Sequence, residues 1–390
     1  MTTLAPTDLT RLDAAALAAL HGRSMLLTQD WTTAEIETLC ELAEALQALD
    51  RQGRVPALFP QQLFWALFFD QSTRTKSSWA GAAARLGGQA VIVDGSSTQV
   101  SHGETSVETG AMLGMNAHAL GIRHDLILGE GNRFMRDARQ GIDDYLAATG
   151  DDRVVPVVNL QCDVDHPTQA LADLLWLRER FPDGLAGRTI TMSWSYSPSY
   201  AKPLSVAQGI VTLMTRFGAH VRLAHPEGYR LMEPSLEAAR TNAQASGGSF
   251  TVMHDMDTAF AGADVVYPKS WGPYDLMLER VDANRSNDTE GLRRIEKRAL
   301  ERNAAHRDWI CDERRMDLTR GGEALYMHCL PADIGAEVSP GVMDRFRHDL
   351  ARQANKKVFA IMALLAAAKG TQVKAALERA ARPDQGGSAE

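Results

Sequence analysis

The run Leu63-Phe64-Trp65-Ala66-Leu67-Phe68-Phe69, followed closely by Ser72-Thr73-Arg74-Thr75-Lys76, decides how this chain is read. An unbroken apolar run of that length fits a strand buried on both faces, as in a parallel sheet. The hydroxyl-rich turn after it opens a helix, whose free N–H groups and dipole favour an anion. Ser72, Thr73 and Thr75 offer hydroxyl donors to phosphate oxygens, and Arg74 adds a bidentate, charge-assisted pair. An ordinary helix N-cap would use the same hydroxyls, so this stretch alone supports both readings.

Two more polar breaks favour the phosphate reading. His166-Pro167-Thr168-Gln169 follows the apolar run Val154 to Leu160 and precedes a helical pattern of Leu171, Leu174, Leu175 and Leu177. His328-Cys329-Leu330-Pro331 follows Ala324-Leu325-Tyr326-Met327. Ligands of open α/β sheets bind at the carboxyl ends of strands, so these breaks point to one cleft. Further strands are expected at Ala90–Val93, Ala119–Ile122, Val154–Val158, Thr189–Trp194, His220–Ala224, Phe250–Met253, Val265–Tyr267 and Trp309–Cys311. With helical segments such as Ala34 to Leu49 between them, they predict an α/β fold of two doubly wound domains with parallel sheets.

A length of 390 residues supports two or three domains. The net charge of −8 weighs against a nucleic-acid partner and leaves room for a local basic pocket. No apolar run reaches the roughly 18 residues of a membrane span, and Met1 to Asp13 lacks the regions of a signal peptide, so a soluble, cytoplasmic protein without a membrane partner is expected. Cys40, Cys162, Cys311 and Cys329 show no C-x-x-C spacing and the histidines are scattered; we expect free thiols, no metal site and no cofactor. A nucleotide kinase would need G-x-x-x-x-G-K-[ST], which the sequence lacks.

In this order, S-T-R-T, H-P-T-Q and H-C-L-P resemble the aspartate and ornithine carbamoyltransferase family over almost the whole chain. Trp194-Ser195-Tyr196-Ser197-Pro198-Ser199-Tyr200-Ala201-Lys202-Pro203-Leu204 and Tyr267-Pro268-Lys269-Ser270-Trp271-Gly272 resemble the proline-rich loop and K-S-W segment of its knotted branch. That branch is typified by N-acetylornithine carbamoyltransferase, in which the chain threads a trefoil knot. The resemblance implies a carbamoyl-phosphate-binding domain at 1–165, an acceptor-binding domain at 166–349, a helix at about 350–369 returning to the first domain, and a C-terminal tail at 370–390. The end of that tail, Arg382 to Glu390, is polar enough to be disordered, and the charged run Asp282 to Arg302 reads as a solvated surface helix. The resemblance further implies a homotrimer whose sites are shared between subunits.

The implied reaction moves the carbamoyl group of carbamoyl phosphate to an amine or amide nitrogen of a small carboxylate-bearing acceptor, or runs in reverse as phosphorolysis of a ureido compound. Ser72, Thr73, Arg74, Thr75 and Arg123 would hold the phosphate. Thr75, Arg123 and His166 would face the carbonyl oxygen, where charge grows during attack, with Gln169 one helical turn on. The carbonyl groups of Cys329 and Leu330 would accept from the carbamoyl NH2, which makes Cys329 a binding residue; His328 is its chain neighbour in a strand and would point to the other face, unsuited to activating a thiolate. Thr98 and His102 would enter a neighbouring subunit's site, and Lys269, Leu330 and Asp333 would meet the acceptor. Asp163, Asp165 and Asp333 could meet a cationic amino group with Lys269 on a carboxylate, which would suit a small diamino acid, although capping suits Asp165 as well. Lys356 and Lys357 both stand near the position of a family arginine. A homologue that binds carbamoyl phosphate for regulation, with little catalysis, is the alternative; intact Arg74, Thr75, Arg123, His166 and Gln169 favour the enzyme.

Overall fold

The computed structural model describes residues 9–382; residues 1–8 and 383–390, on which the readings of the N-terminus and of a disordered end largely rest, lie outside the described residues. Strands β1 (Leu63–Phe68), β2 (Gln89–Asp94), β3 (Ala119–His124) and β4 (Val157–Cys162) form a parallel sheet ordered β2-β1-β3-β4. Strands β5 (Thr189–Trp194), β6 (His220–Ala224), β7 (Ser249–Met253), β8 (Val265–Lys269) and β9 (Leu325–Tyr326) form a second, ordered β7-β6-β5-β8-β9. The helices of the first half are α1 (Ala14–Ala19), α2 (Thr33–Arg51), α3 (Arg74–Arg85), α4 (Ser106–Gly114) and α5 (Gly131–Thr149), and α6 (Pro167–Arg180) passes from one sheet to the other. The second half carries α7 (Ser205–Met214), α8 (Glu233–Ser246), α9 (Met256–Phe260), α10 (Tyr274–Arg285), α11 (Thr289–Asn303) and α12 (Glu313–Leu318), then α13 (Pro340–Lys369) and α14 (Val373–Ala381).

Strands β4, β5 and β8 are buried along their whole length, as a sheet covered on both faces demands. One continuous apolar core runs from α2 and β1 through α6 and α7 to β8 and α13, with a smaller core between the first sheet and α5. Strand order reverses between β1 and β3 in one sheet and between β5 and β8 in the other. Those reversals are where a crevice opens at the carboxyl ends of the strands, and the loops after β1 and β5 meet the ends of β3 and β8 there. Close helix packing supports the first crevice from outside. A Cβ on Gly110 would fall 2.0 Å from the Ala138 carbonyl oxygen and one on Gly141 1.9 Å from that of Val107, so α4 and α5 approach to a distance only glycine permits.

Several elements differ from expectation. The strand expected from Val154 begins at Val157, because Pro156 has no N–H to give the ladder. Trp309–Cys311 forms no strand; Cys311 makes one bridge, to Val338. The charged run from Asp282 is two helices broken at Asn287, whose φ is 54°, and Asp288 caps the second, which buries Ile295 and Ala299. The returning helix starts ten residues sooner than 350, at Pro340, where Ser339 accepts from Val342 N. Its stretch Val358 to Ala368 is buried all round because α13 packs on α2, α3 and α6 together. The 370–390 segment is not all tail: α14 buries Val373 and Leu377. No helix among the described residues is long and apolar enough to cross a membrane.

Candidate active site

A cavity of about 340 Å³ lies between the two sheets. Ser72, Thr73, Arg74 and Thr75 line it from the start of α3, Arg123 from β3, His166 and Gln169 from α6, Lys269 from β8, and Cys329 and Leu330 from the loop after β9. The fold therefore brings together ten of the residues singled out from sequence.

Arg74 is the first residue of α3, and the Thr73 side chain makes no capping hydrogen bond, while Thr75 N donates to Ser72 Oγ at 3.2 Å. Arg123 reaches the cavity through a register shift: Ile122 pairs with Asn159, but Arg123 pairs with Gln161, so Arg123 and Gln161 lie side by side on its wall. Arg123 Nη2 donates to buried Asp125 at 2.9 Å, which fixes the guanidinium. Burial pushes the Asp125 carboxyl up to about 6 even beside that arginine.

His166 is the N-cap of α6 and buried. Burial, and then the charges of Lys357, Arg123, Lys269 and Arg74, hold its imidazole well below the ordinary histidine value, so it stays neutral. Gln169 donates to Asp173 at 2.8 Å; Gln353 and Tyr267 also donate to Asp173, which burial raises to about 6. Leu330 has a φ of 52°, a strained conformation for a branched side chain, and its N–H donates to His328 Nδ1 at 2.8 Å. Cys329 and Leu330 both line the cavity.

Lys269 is 5% exposed and donates to the carbonyl oxygens of Ser270 (2.7 Å) and Pro203 (3.2 Å). Burial lowers its ammonium from the ordinary lysine value. The remaining acceptor expectations change. Asp333 is not a cavity-lining residue: its Oδ2 accepts from Lys202 Nζ at 2.9 Å, Ser197 Oγ at 2.5 Å and Ser199 Oγ at 3.0 Å. Its carboxylate is already engaged within the fold, sharing Lys202 with Glu337. Asp163 accepts from Gly129 N and Asn132 N at the start of α5, and Asp165 from Thr28 N and Oγ1, so both are structural. Thr98 and His102 sit at a short 3-10 segment outside their own chain's cavity, with Thr98 Oγ1 donating to Gly95 O.

Three groups had no role in the sequence reading, and the choice between Lys356 and Lys357 comes from the structure. Lys202, Tyr200 and Gln161 line the cavity, and Lys357 enters it from α13 while Lys356 turns away to pair with Glu179 and Gln47. Lys202 lay within the quoted proline-rich loop; nothing local marks Gln161, which only the register shift reveals. Fully buried Glu337 ties the acceptor wall together, accepting from Ser270 N (2.7 Å), Asp333 N (2.8 Å) and Lys202 Nζ (2.7 Å). The cavity is thus lined by Arg74, Arg123, Lys202, Lys269 and Lys357 and by no carboxylate. Such a lining suits a substrate pair of high negative charge.

Comparison with known proteins agrees with this geometry. Residues 23–179 match the aspartate/ornithine carbamoyltransferase carbamoyl-P binding domain, and residues 203–368 the Asp/Orn binding domain of the same enzymes. YgeW of Escherichia coli strain K12, assigned by name to the carbamoyltransferases, is 47% identical over 368 residues, covering 92% of this chain and 93% of that protein. A variant N-acetyl-L-ornithine transcarbamylase solved with carbamyl phosphate and N-succinyl-L-norvaline superposes with a TM-score of 0.72 at 28% identity, over 88% of this chain and 99% of that one. Ornithine carbamoyltransferase from Pyrococcus furiosus gives 0.72 at 29% identity, over 90% and 98%. The two halves of the cavity, each on its own parallel sheet, are the two substrate sides of one fold, and the chain belongs to the aspartate/ornithine carbamoyltransferase family.

Proposed function

We propose that this carbamoyltransferase transfers the carbamoyl group of carbamoyl phosphate to a small acceptor that carries a carboxylate and no second cationic nitrogen, releasing phosphate. The observation behind this reading is the lining of five basic side chains with, among the described residues, no carboxylate. Ser72, Thr73, Arg74 and Thr75 take the phosphate at the start of α3, and Arg123, Thr75 and His166 face the carbonyl oxygen. Neutral His166 donates a hydrogen bond without adding charge. Gln169 is held by Asp173, and the carbonyls of Cys329 and Leu330 accept from the carbamoyl NH2.

The acceptor nitrogen bonds to the carbonyl carbon while the C–O bond to phosphate breaks, its electron pair leaving on phosphate; one proton of the nitrogen ends on the phosphate. Attack requires a neutral nitrogen, and the surrounding cations disfavour an ammonium. Lys269 then meets the acceptor carboxylate. Lys269→Ala should raise the acceptor KM about 10–100-fold and leave that of carbamoyl phosphate nearly unchanged, as steady-state kinetics would read. Among acceptors of equal length, those with one amine or amide beside the carboxylate should exceed those with an added ammonium in kcat/KM. A preference for the added ammonium would defeat the acceptor half of this reading.

Three further features belong to it. The site is completed in a homotrimer by Thr98 and His102 of a neighbouring copy; their position outside their own cavity supports this. A His102→Ala chain and an Arg74→Ala chain, each defective alone, should regain part of the activity when mixed, and no recovery in trimers proven mixed by native mass would count against shared sites. The chain is threaded as in the knotted branch, supported by the contact of the two loops: Trp194 Nε1 donates to Trp271 O at 2.9 Å and Gly272 N to Lys202 O at 2.9 Å. The substrate domains divide near His166, and the reaction is cytoplasmic.

A further inference from the structure

Among the described residues, Arg74, Lys269 and Lys357 line the cavity without a carboxylate partner, and Lys357 is the one set against both Thr75 and His166. Arg123 has Asp125 and Lys202 has Glu337, whereas Lys357 Nζ lies 3.3 Å from Thr75 Oγ1 and 3.4 Å from His166 Nε2. The carboxylate nearest in effect, Asp173, is engaged by Gln169, Gln353 and Tyr267. Its chain neighbour Lys356 has an ion pair with Glu179. Lys357 is therefore a buried amine aimed at the two residues that face the carbamoyl group, with no anion of the protein's own to hold its charge.

We propose that Lys357 is a proton-linked ligand for carbamoyl phosphate, giving up its proton above neutral pH in the unliganded protein and regaining it as the dianion enters, so that substrate binding builds its own counter-charge. The inference rests on the carbamoyl phosphate reading of this cavity. The groups facing Lys357 are Arg74 and Thr75 from α3, Arg123 from β3, His166 and Asp173 from α6, and Cys329 from the loop after β9. Burial, followed by the charges of Arg74 and Arg123, lowers its ammonium to about 7. A dianion a few ångströms away reverses the balance of charge and favours the protonated form. Uptake then appears above pH about 7, where the free amine is neutral, and vanishes below it, where the ammonium already exists. An arginine would be charged at every pH and show no such uptake.

The test is titration calorimetry of the full chain with phosphonoacetamide, a hydrolysis-resistant analogue, at pH 6 and pH 8 in buffers of different ionisation enthalpy. After subtraction of the ligand's own measured titration, the wild type should take up about one proton at pH 8 and little at pH 6. Lys357→Arg and Lys357→Gln should both lose the excess, and wild-type affinity should weaken from pH 6 to pH 8 more than that of Lys357→Arg. Binding by the wild type with no excess uptake at pH 8, or the same uptake in either variant, overturns the inference and leaves the carbamoyl phosphate reading intact. No wild-type binding at either pH defeats that reading itself.

Discussion

Arg74→Ala is expected to reduce kcat/KM by about 10²–10³-fold, with a matching loss of affinity for carbamoyl phosphate or its phosphonate analogues. Arg74 opens α3 at the strand-order reversal of the first sheet, where the helix N–H groups and its guanidinium address one anion. The hydroxyls of Ser72, Thr73 and Thr75 donate hydrogen bonds but carry no charge to offset a dianion. Calorimetry and steady-state rates read the effect together, and Arg74→Lys should recover part of the binding but not the bidentate geometry. An alanine variant within twofold of the wild type would remove the phosphate cradle from the account.

The second large effect concerns stability. Glu337→Ala should cost about 3–5 kcal/mol in chemical denaturation, because it leaves buried Lys202 with Asp333 alone and orphans the N–H groups of Ser270 and Asp333. Against the upward push of burial, His328 and Lys202 hold the Glu337 carboxyl well below the ordinary glutamate value of 4.5. Lys202, at 2.7 Å, is the stronger partner, since His328 sits at 3.7 Å and burial lowers its own tendency to charge. A depressed folded-state pKa stabilises above the unfolded value and is lost as pH falls toward the folded one. Wild-type stability should therefore decline below pH 4.5, and Glu337→Gln, already weaker at pH 7, should decline less steeply over that window. Equal slopes would show that Glu337 does not couple the three loops through its charge.

The alternation of buried runs and polar turns made the two parallel sheets legible, because a strand covered on both faces has no polar positions to disguise it. The convergence of Arg74, Arg123 and His166 on one cavity was legible for a related reason: they lie at strand ends or helix starts, where local sequence dictates exposure to the crevice. The acceptor side was not. Whether Asp333 is free or paired depends on Lys202, more than a hundred residues away in the chain, and a sequence gives no distance between them. Lys357 and Lys356 are adjacent and chemically alike; only the rotation of α13 over α3 and α6 sends one into the cavity and the other to Glu179. Pro156 and Asn287 moved element boundaries by backbone rules that an apolar pattern overrides on paper.

The most direct test of carbamoyl transfer is to supply the purified chain with carbonyl-13C-labelled carbamoyl phosphate and a panel of carboxylate-bearing amines and amides, following the label by 13C NMR alongside released phosphate. The account predicts a ureido carbon forming on at least one singly amino- or amido-substituted carboxylate, one per phosphate released, and its loss in Arg74→Ala. Phosphate release no faster than the unaided breakdown of carbamoyl phosphate, with no ureido carbon from any acceptor, would contradict it.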